Sequence, residues 1–178
     1  MFDDFKELLS IFNDQKVKYL IVGGYAVSLH AQPRATKDID LLIQPAPANG
    51  KAVYAALKKF GAPLAGLTAA DFIERDKFFR MGRAPVMVDI LPEISGVDFD
   101  RAWQRRVEAV IDPVSGLTAS FISSEDLIAS KLAAGRPQDI ADVAALRNTP
   151  NSGARVFAAT YRPEFGVLLS AQNSLFSI

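Results

Sequence analysis

Residues 22–43 read VGGYAVSLHAQPRATKDIDLLI, and the reading of this stretch decides the fold. One apolar run stops at the adjacent glycines Gly23 and Gly24, and a second carries two carboxylates, Asp38 and Asp40, on either side of an isoleucine. On a strand, residues i and i+2 share a face about 6.5–7 Å apart, so Asp38 and Asp40 point one way while Ile39, Leu41 and Ile43 enter the core. Two like charges held side by side against an apolar core repel each other, and at least one titrates high unless a cation compensates them. A hard divalent ion does so economically: carboxylate oxygens suit Mg²⁺, or Mn²⁺ in its place, and Mg²⁺ bridges carboxylates to phosphates.

A third carboxylate stands in the same setting. Asp89 lies in PVMVDIL (residues 85–91) between Val88 and Ile90, so it projects from a strand whose alternate residues are buried. If that strand neighbours the first, Asp38, Asp40 and Asp89 converge into a set able to hold two ions about 3.5–4 Å apart, as in-line phosphoryl transfer requires. Gly23 and Gly24 fit the same chemistry. At a strand-to-helix junction they let backbone N–H groups approach a phosphate with no Cβ in the way, and the following helix directs its positive end there. Neither G-x-x-x-x-G-K-[ST] nor G-x-G-x-x-G occurs, so the site is of another kind than those two nucleotide cradles. Taken singly, each feature also has an ordinary reading: a tight turn for the glycines, a solvated strand face for the paired aspartates, an edge residue for Asp89.

Working outward, the chain alternates helical and strand periods. DDFKELLSIFND (3–14) spaces Phe5, Leu8, Leu9 and Phe12 as a helix, behind an acidic start that suits a helix N-terminus. VKYLIVGG reads as a strand, GYAVSLHA as a helix ending before Gln32-Pro33, and KDIDLLIQ as a strand. KAVYAALKKF reads as a helix closed by Gly61, and FFRMG with PVMVDIL as a hairpin around Gly82. EAVID and GLTASFI read as two edge strands around Asp112–Gly116. Two helices follow, SSEDLIASKLAAG and RPQDIADVAALRN, with Ser123 or Ser124 as N-cap, Gly135 as terminator and Pro137 in the first turn of the second. The expected fold class is α/β (α+β): a mixed sheet with flanking helices over residues 1–122, and a helical segment over 123–178 packed on it without forming an independent domain. Residues 149–178 keep no clean period and predict at most a weak helix near 153–160.

Composition limits the function. The 178 residues, 49% hydrophobic and 22% charged, suffice for one sizeable core. Lys+Arg and Asp+Glu balance at 20 each, so no net field holds a polyanion by counterion release. There is no cysteine, which rules out disulfides and thiolate chemistry. No run of about 18 apolar residues and no leader pattern occurs, so a cytoplasmic protein without a membrane partner is expected.

Gly23-Gly24, thirteen intervening residues, Asp38-Ile39-Asp40 and a later strand Asp89 resemble the signature of the DNA polymerase β-like nucleotidyltransferases. With Arg34 and Thr36 ahead of the aspartates, and DLIASKLAAGRPQDIADVAAL downstream, the chain is most similar to small bacterial nucleotidyltransferases of the abortive-infection and toxin–antitoxin type. The resemblance spans about residues 15–147. It implies that Gly23 and Gly24 contact a nucleoside triphosphate, that Asp38 and Asp40 bind both metal ions, and that Asp89 binds one and assists deprotonation of an acceptor hydroxyl on RNA, protein or a small molecule. It also implies an antitoxin-like partner. Many relatives carry Gly-Ser where this chain has Gly-Gly, which removes a hydroxyl from the phosphate site.

Around this set, Arg34, Thr36 and Lys37 read either as substrate contacts or as an ordinary basic loop. Lys131 reads either as a phosphate ligand or as a snorkelling surface lysine. Arg136, Asp139 and Asp142 share a spacing of three and are expected to form an intrahelical ion-pair set. His30, the only histidine, reads as a partly buried helix residue rather than a catalytic base. RAWQRRVEA hints at nucleic acid, but a helix burying Trp103 and solvating its arginines explains it better. Two classes stay open: a metal-dependent nucleotidyltransferase, favoured by all three carboxylates, and a non-catalytic relative serving as a binding or regulatory module.

Overall fold

The alternation of helical and strand periods is realised in the computed structural model, which describes residues 1–33 and 35–149. In chain order these residues form α1 (Asp3–Asp14), β1 (Tyr19–Val22), α2 (Gly23–His30), β2 (Ile39–Ile43) and α3 (Pro47–Phe60). A short 3-10 turn at Asp71–Ile73 leads to β3 (Phe79–Arg83) and β4 (Val86–Leu91). Then come α4 (Phe99–Gln104), β5 (Val107–Asp112), β6 (Leu117–Phe121), α5 (Ser124–Ala134) and α6 (Pro137–Asn148).

The strands make one six-stranded mixed sheet in the order β3-β4-β2-β1-β6-β5. β1 and β2 are antiparallel, β2–β4 and β1–β6 are parallel, and each edge is closed by an antiparallel pair, β3–β4 or β5–β6. Every residue of β1 is buried, and in β2 only Asp40 is not fully so. Since successive strand residues face opposite sides, the centre of the sheet is covered on both faces. Phe5, Leu8, Leu9 and Phe12 of α1 are buried as their spacing predicts, and α1 packs on α3 and β6.

The predicted punctuation holds where a specific atom enforces it. Ser123 caps α5 by accepting from the Asp126 N–H, and Gly135 ends that helix at φ +65°. Pro137 then opens α6, and α5 and α6 pack on each other and on α2. Among the described residues no helix is long and apolar enough to cross a membrane.

Two expectations change, and the choice at Trp103 narrows. β6 is no edge strand: it pairs with β1 at Ile21↔Phe121, so β5 alone closes that side. Its burial explains the position, since Ala119, Ser120 and Phe121 are all buried. The β3–β4 turn falls at Ala84-Pro85, with Gly82 inside β3 at φ +119°, where a Cβ would lie 2.5 Å from the Val86 carbonyl oxygen. Two of the three arginines near Trp103 are occupied: Arg105 binds Asp126, and Arg106 binds Glu108 and lies 4.1 Å above the Trp103 ring. These two are tied into the protein rather than offered to phosphate. The weak helix expected near 153–160 falls outside the described residues.

Candidate active site

β2 and β4 pair in parallel with Asp40 opposite Asp89, so the two side chains leave adjacent strands on one face of the sheet. Asp38 lies just before β2 and accepts from the Met87 N–H at 3.2 Å through Oδ1, which ties it to the start of β4. The three carboxylates share one field. Burial, then the charges of Asp89 and Asp38, push the Asp40 carboxyl up to about 6 from its ordinary value of 3.8, while Arg136 and Lys131 draw it back.

Gly23 fixes the fourth side of this group. It opens α2 at φ +62°, and a Cβ there would stand 1.9 Å from Asp40 Oδ2. The backbone of the β1–α2 junction therefore packs directly against the Asp40 carboxylate, and only glycine permits both the left-handed φ and the approach. α2 has no side-chain N-cap, so no capping side chain takes its first N–H groups, and Gly23 at its start lies against Asp40. The positive helix end offsets part of their charge.

The principal feature that sequence reasoning missed is Arg80. From β3 its Nε donates to Asp89 Oδ1 and its Nη2 to Oδ2, both at 2.6 Å. The guanidinium supplies the counter-charge expected of a metal ion. Counting back from a two-residue turn at Ala84-Pro85 puts Arg80 opposite Asp89, so placing the turn correctly would have found it.

The remaining candidates are placed as follows. Thr36 donates to the Asp38 carbonyl at 3.2 Å, closing the loop that delivers the aspartates. Arg34 lies outside the described residues. Lys131 is neither a surface lysine nor a ligand facing solvent: it is buried, with Nζ 2.9 Å from Asp139 Oδ1 and 2.7 Å from Asp142 Oδ2. Two buried carboxylates make it favourable to bury the ammonium between α5 and α6. Arg136 pairs with Asp139 at 2.6 Å as the spacing of three predicts, but Asp142 turns to Lys131 instead. His30 is partly buried, and its Nε2 meets the Ile122 carbonyl at 2.7 Å.

A family model described as "Nucleotidyltransferase of unknown function (DUF6036)" matches residues 1–148. The chain belongs to this family. The matched span takes in the whole sheet and both α5 and α6, so the carboxylates and the helices behind them lie within one family unit. At the level of that family the chain is a nucleotidyltransferase. No curated protein matches it in sequence.

A divalent ion is the group such a site implies. As the side chains stand, no three His, Asp or Glu residues among those described close tightly enough to hold one. Asp89 is turned to Arg80, and Asp38 to Met87. The donor set nevertheless suits a hard cation: its atoms are carboxylate oxygens, and burial together with two neighbouring carboxylates raises the Asp40 carboxyl.

Proposed function

We propose that the chain transfers a nucleoside monophosphate from a nucleoside triphosphate to a hydroxyl of RNA, protein or a small molecule, with Asp38, Asp40 and Asp89 holding Mg²⁺ or Mn²⁺. The observation that carries this reading is the in-register pair Asp40–Asp89 with the Gly23 backbone packed on Asp40. Bound there, a divalent ion would neutralise charge on the transferring phosphate and the pyrophosphate leaving group. The N–H groups of Gly23 and Gly24 at the start of α2 bind phosphate oxygens. Asp89 orients the acceptor hydroxyl and takes its proton. Arg34 and Thr36 serve as nucleotide contacts, and Lys131 acts indirectly, by holding α6 and Arg136 behind Asp40.

The test is transfer of label from an α-phosphate-labelled NTP with Mg²⁺ into a cell extract. Wild type is expected to label an acceptor, and Asp38→Asn and Asp89→Asn are not; equal labelling by all three sinks the reading. The resemblance to toxin–antitoxin enzymes extends it to a cytoplasmic toxin neutralised by an antitoxin-like partner. Induced expression should then arrest bacterial growth for wild type and not for Asp38→Asn, and normal growth with both rejects the toxin role.

One observation favours a second reading. Arg80 engages both oxygens of Asp89, as a non-catalytic binding module would allow. In that case no NTP labels an acceptor, and Mn²⁺ with NTP leaves the melting temperature unchanged.

A further inference from the structure

The fork between Arg80 and Asp89 is unequal in its freedom. The Asp89 side chain is 8% exposed and set in the sheet, whereas that of Arg80 is 52% exposed on the edge strand β3. Besides Asp89, the guanidinium meets the ring of Phe78, 5.6 Å away, an aromatic side chain that is itself exposed. The carboxylate is fixed, and the arginine has solvent into which its stem can swing.

We propose that Arg80 exchanges partners: it holds Asp89 in the free protein and moves to the phosphates of the nucleotide when a divalent ion takes Asp89. The inference rests on the metal-dependent reading above and names a nucleotide-binding residue for that site. Its physical basis is competition of two cations for one carboxylate. Both Asp89 oxygens already accept from Arg80, so an ion chelated between them displaces the N–H groups, and an ion on an outer lone pair of either oxygen stands beside the guanidinium charge. Two cations on one carboxylate also repel. The displaced guanidinium stays within a side chain's reach of Asp89 and therefore of any triphosphate held there. Its planar fork matches phosphate oxygens as it matches a carboxylate. Arg80 thus offsets the carboxylate charge before substrate arrives and offsets phosphate charge afterwards.

Competition followed by transfer makes two effects of opposite sign. Mn²⁺ alone is titrated calorimetrically into the full chain, as wild type, Arg80→Gln and Arg80→Lys; each of the four NTPs is then titrated in saturating Mn²⁺. Arg80→Gln should bind Mn²⁺ about fivefold or more tighter and NTP about fivefold or more weaker, the scale of ordinary site coupling. Arg80→Lys keeps the charge without the fork and should fall between. A merely structural arginine would move both affinities the same way. If Arg80→Gln binds Mn²⁺ no tighter than wild type, or binds NTP equally well, partner exchange is wrong although the metal site stands. If none of the three proteins binds Mn²⁺, the metal-dependent reading falls and this inference with it. Should circular dichroism show Arg80→Gln unfolded, Arg80→Lys against wild type decides by the same two titrations.

Discussion

Asp40 and Asp89 stand opposite each other across the parallel strands β2 and β4, yet Arg80 forks onto Asp89 alone. The pair is thus charged asymmetrically. Asp89 has a positive partner in Arg80, whereas Asp40 is raised to about 6 by burial and by its two carboxylate neighbours. Such asymmetry is the expected state of a site whose charge is completed from outside.

Replacing Asp40 by Asn should separate function from stability. The amide is nearly isosteric but carries no charge, so it removes a ligand of the proposed metal site and relieves repulsion with Asp38 and Asp89. Label transfer should fall at least about 100-fold, the usual cost of deleting an electrostatic group at such a centre. The melting temperature should hold or rise. A protein that melts lower yet transfers normally would assign Asp40 to folding alone.

Gly23 and Gly116 share a positive φ, +62° and +71°, but differ in surroundings. A Cβ at Gly23 meets Asp40 Oδ2 at 1.9 Å, and one at Gly116 meets nothing within 4 Å. Gly116→Ala should therefore cost only the left-handed strain, about 1 kcal/mol. Gly23→Ala should cost at least about 2 kcal/mol, since strain and displacement of a carboxylate add, and should abolish transfer. Urea denaturation of both variants measures the difference, and equal losses would mean that Asp40 moves aside freely.

Much of this was legible where one residue's chemistry dictates one local geometry. Asp38 and Asp40 fall at the entry to β2, Asp89 lies within β4, and Ser123, Gly135 and Pro137 mark α5 and α6 where expected. What stayed hidden depends on partners distant in sequence. GLTASFI has the same alternation at an edge as beside β1, so nothing local reveals that Ile21 pairs with Phe121. Arg80 reaches Asp89 only through the register of a hairpin whose turn lies two residues beyond the glycine expected to make it. Lys131 reads as a surface residue until Asp139 and Asp142 fold back across Gly135 to neutralise it.

His30 gives a pH prediction with a single reporter, because the sequence has no other histidine. Burial holds its ring below the ordinary 6.5, although the Ile122 carbonyl pulls the other way. The unfolded chain then takes up the proton first, so this contribution to stability is present above pH 6.5 and is lost as pH falls through the folded value. An NMR titration of the folded protein should give an apparent value under 6.5. His30→Gln should flatten the stability profile just below that pH, and a value at or above 6.5 would place the ring in solvent.

The ion network behind Asp40 should matter more through Lys131 than through Arg136. The Lys131 side chain is 7% exposed and bridges two carboxylates, 2% and 4% exposed, whereas that of Arg136 is 74% exposed. Lys131→Met strands buried negative charge and should cost about 3–5 kcal/mol. Arg136→Gln removes a largely solvated partner and should cost about 1 kcal/mol or less. Acid adds an independent check. Arg136 first, and then Lys131, hold the Asp139 carboxyl at about 2, below its ordinary 3.8. As pH falls the unfolded chain protonates first, so the network's stabilisation is complete above 3.8 and disappears as pH approaches about 2. Urea titrations at pH 7 and through that acid window should show wild type losing stability steeply and Lys131→Met losing less of what remains. If Lys131→Met proves as stable as Arg136→Gln at pH 7, the lysine is not what joins α5 to α6.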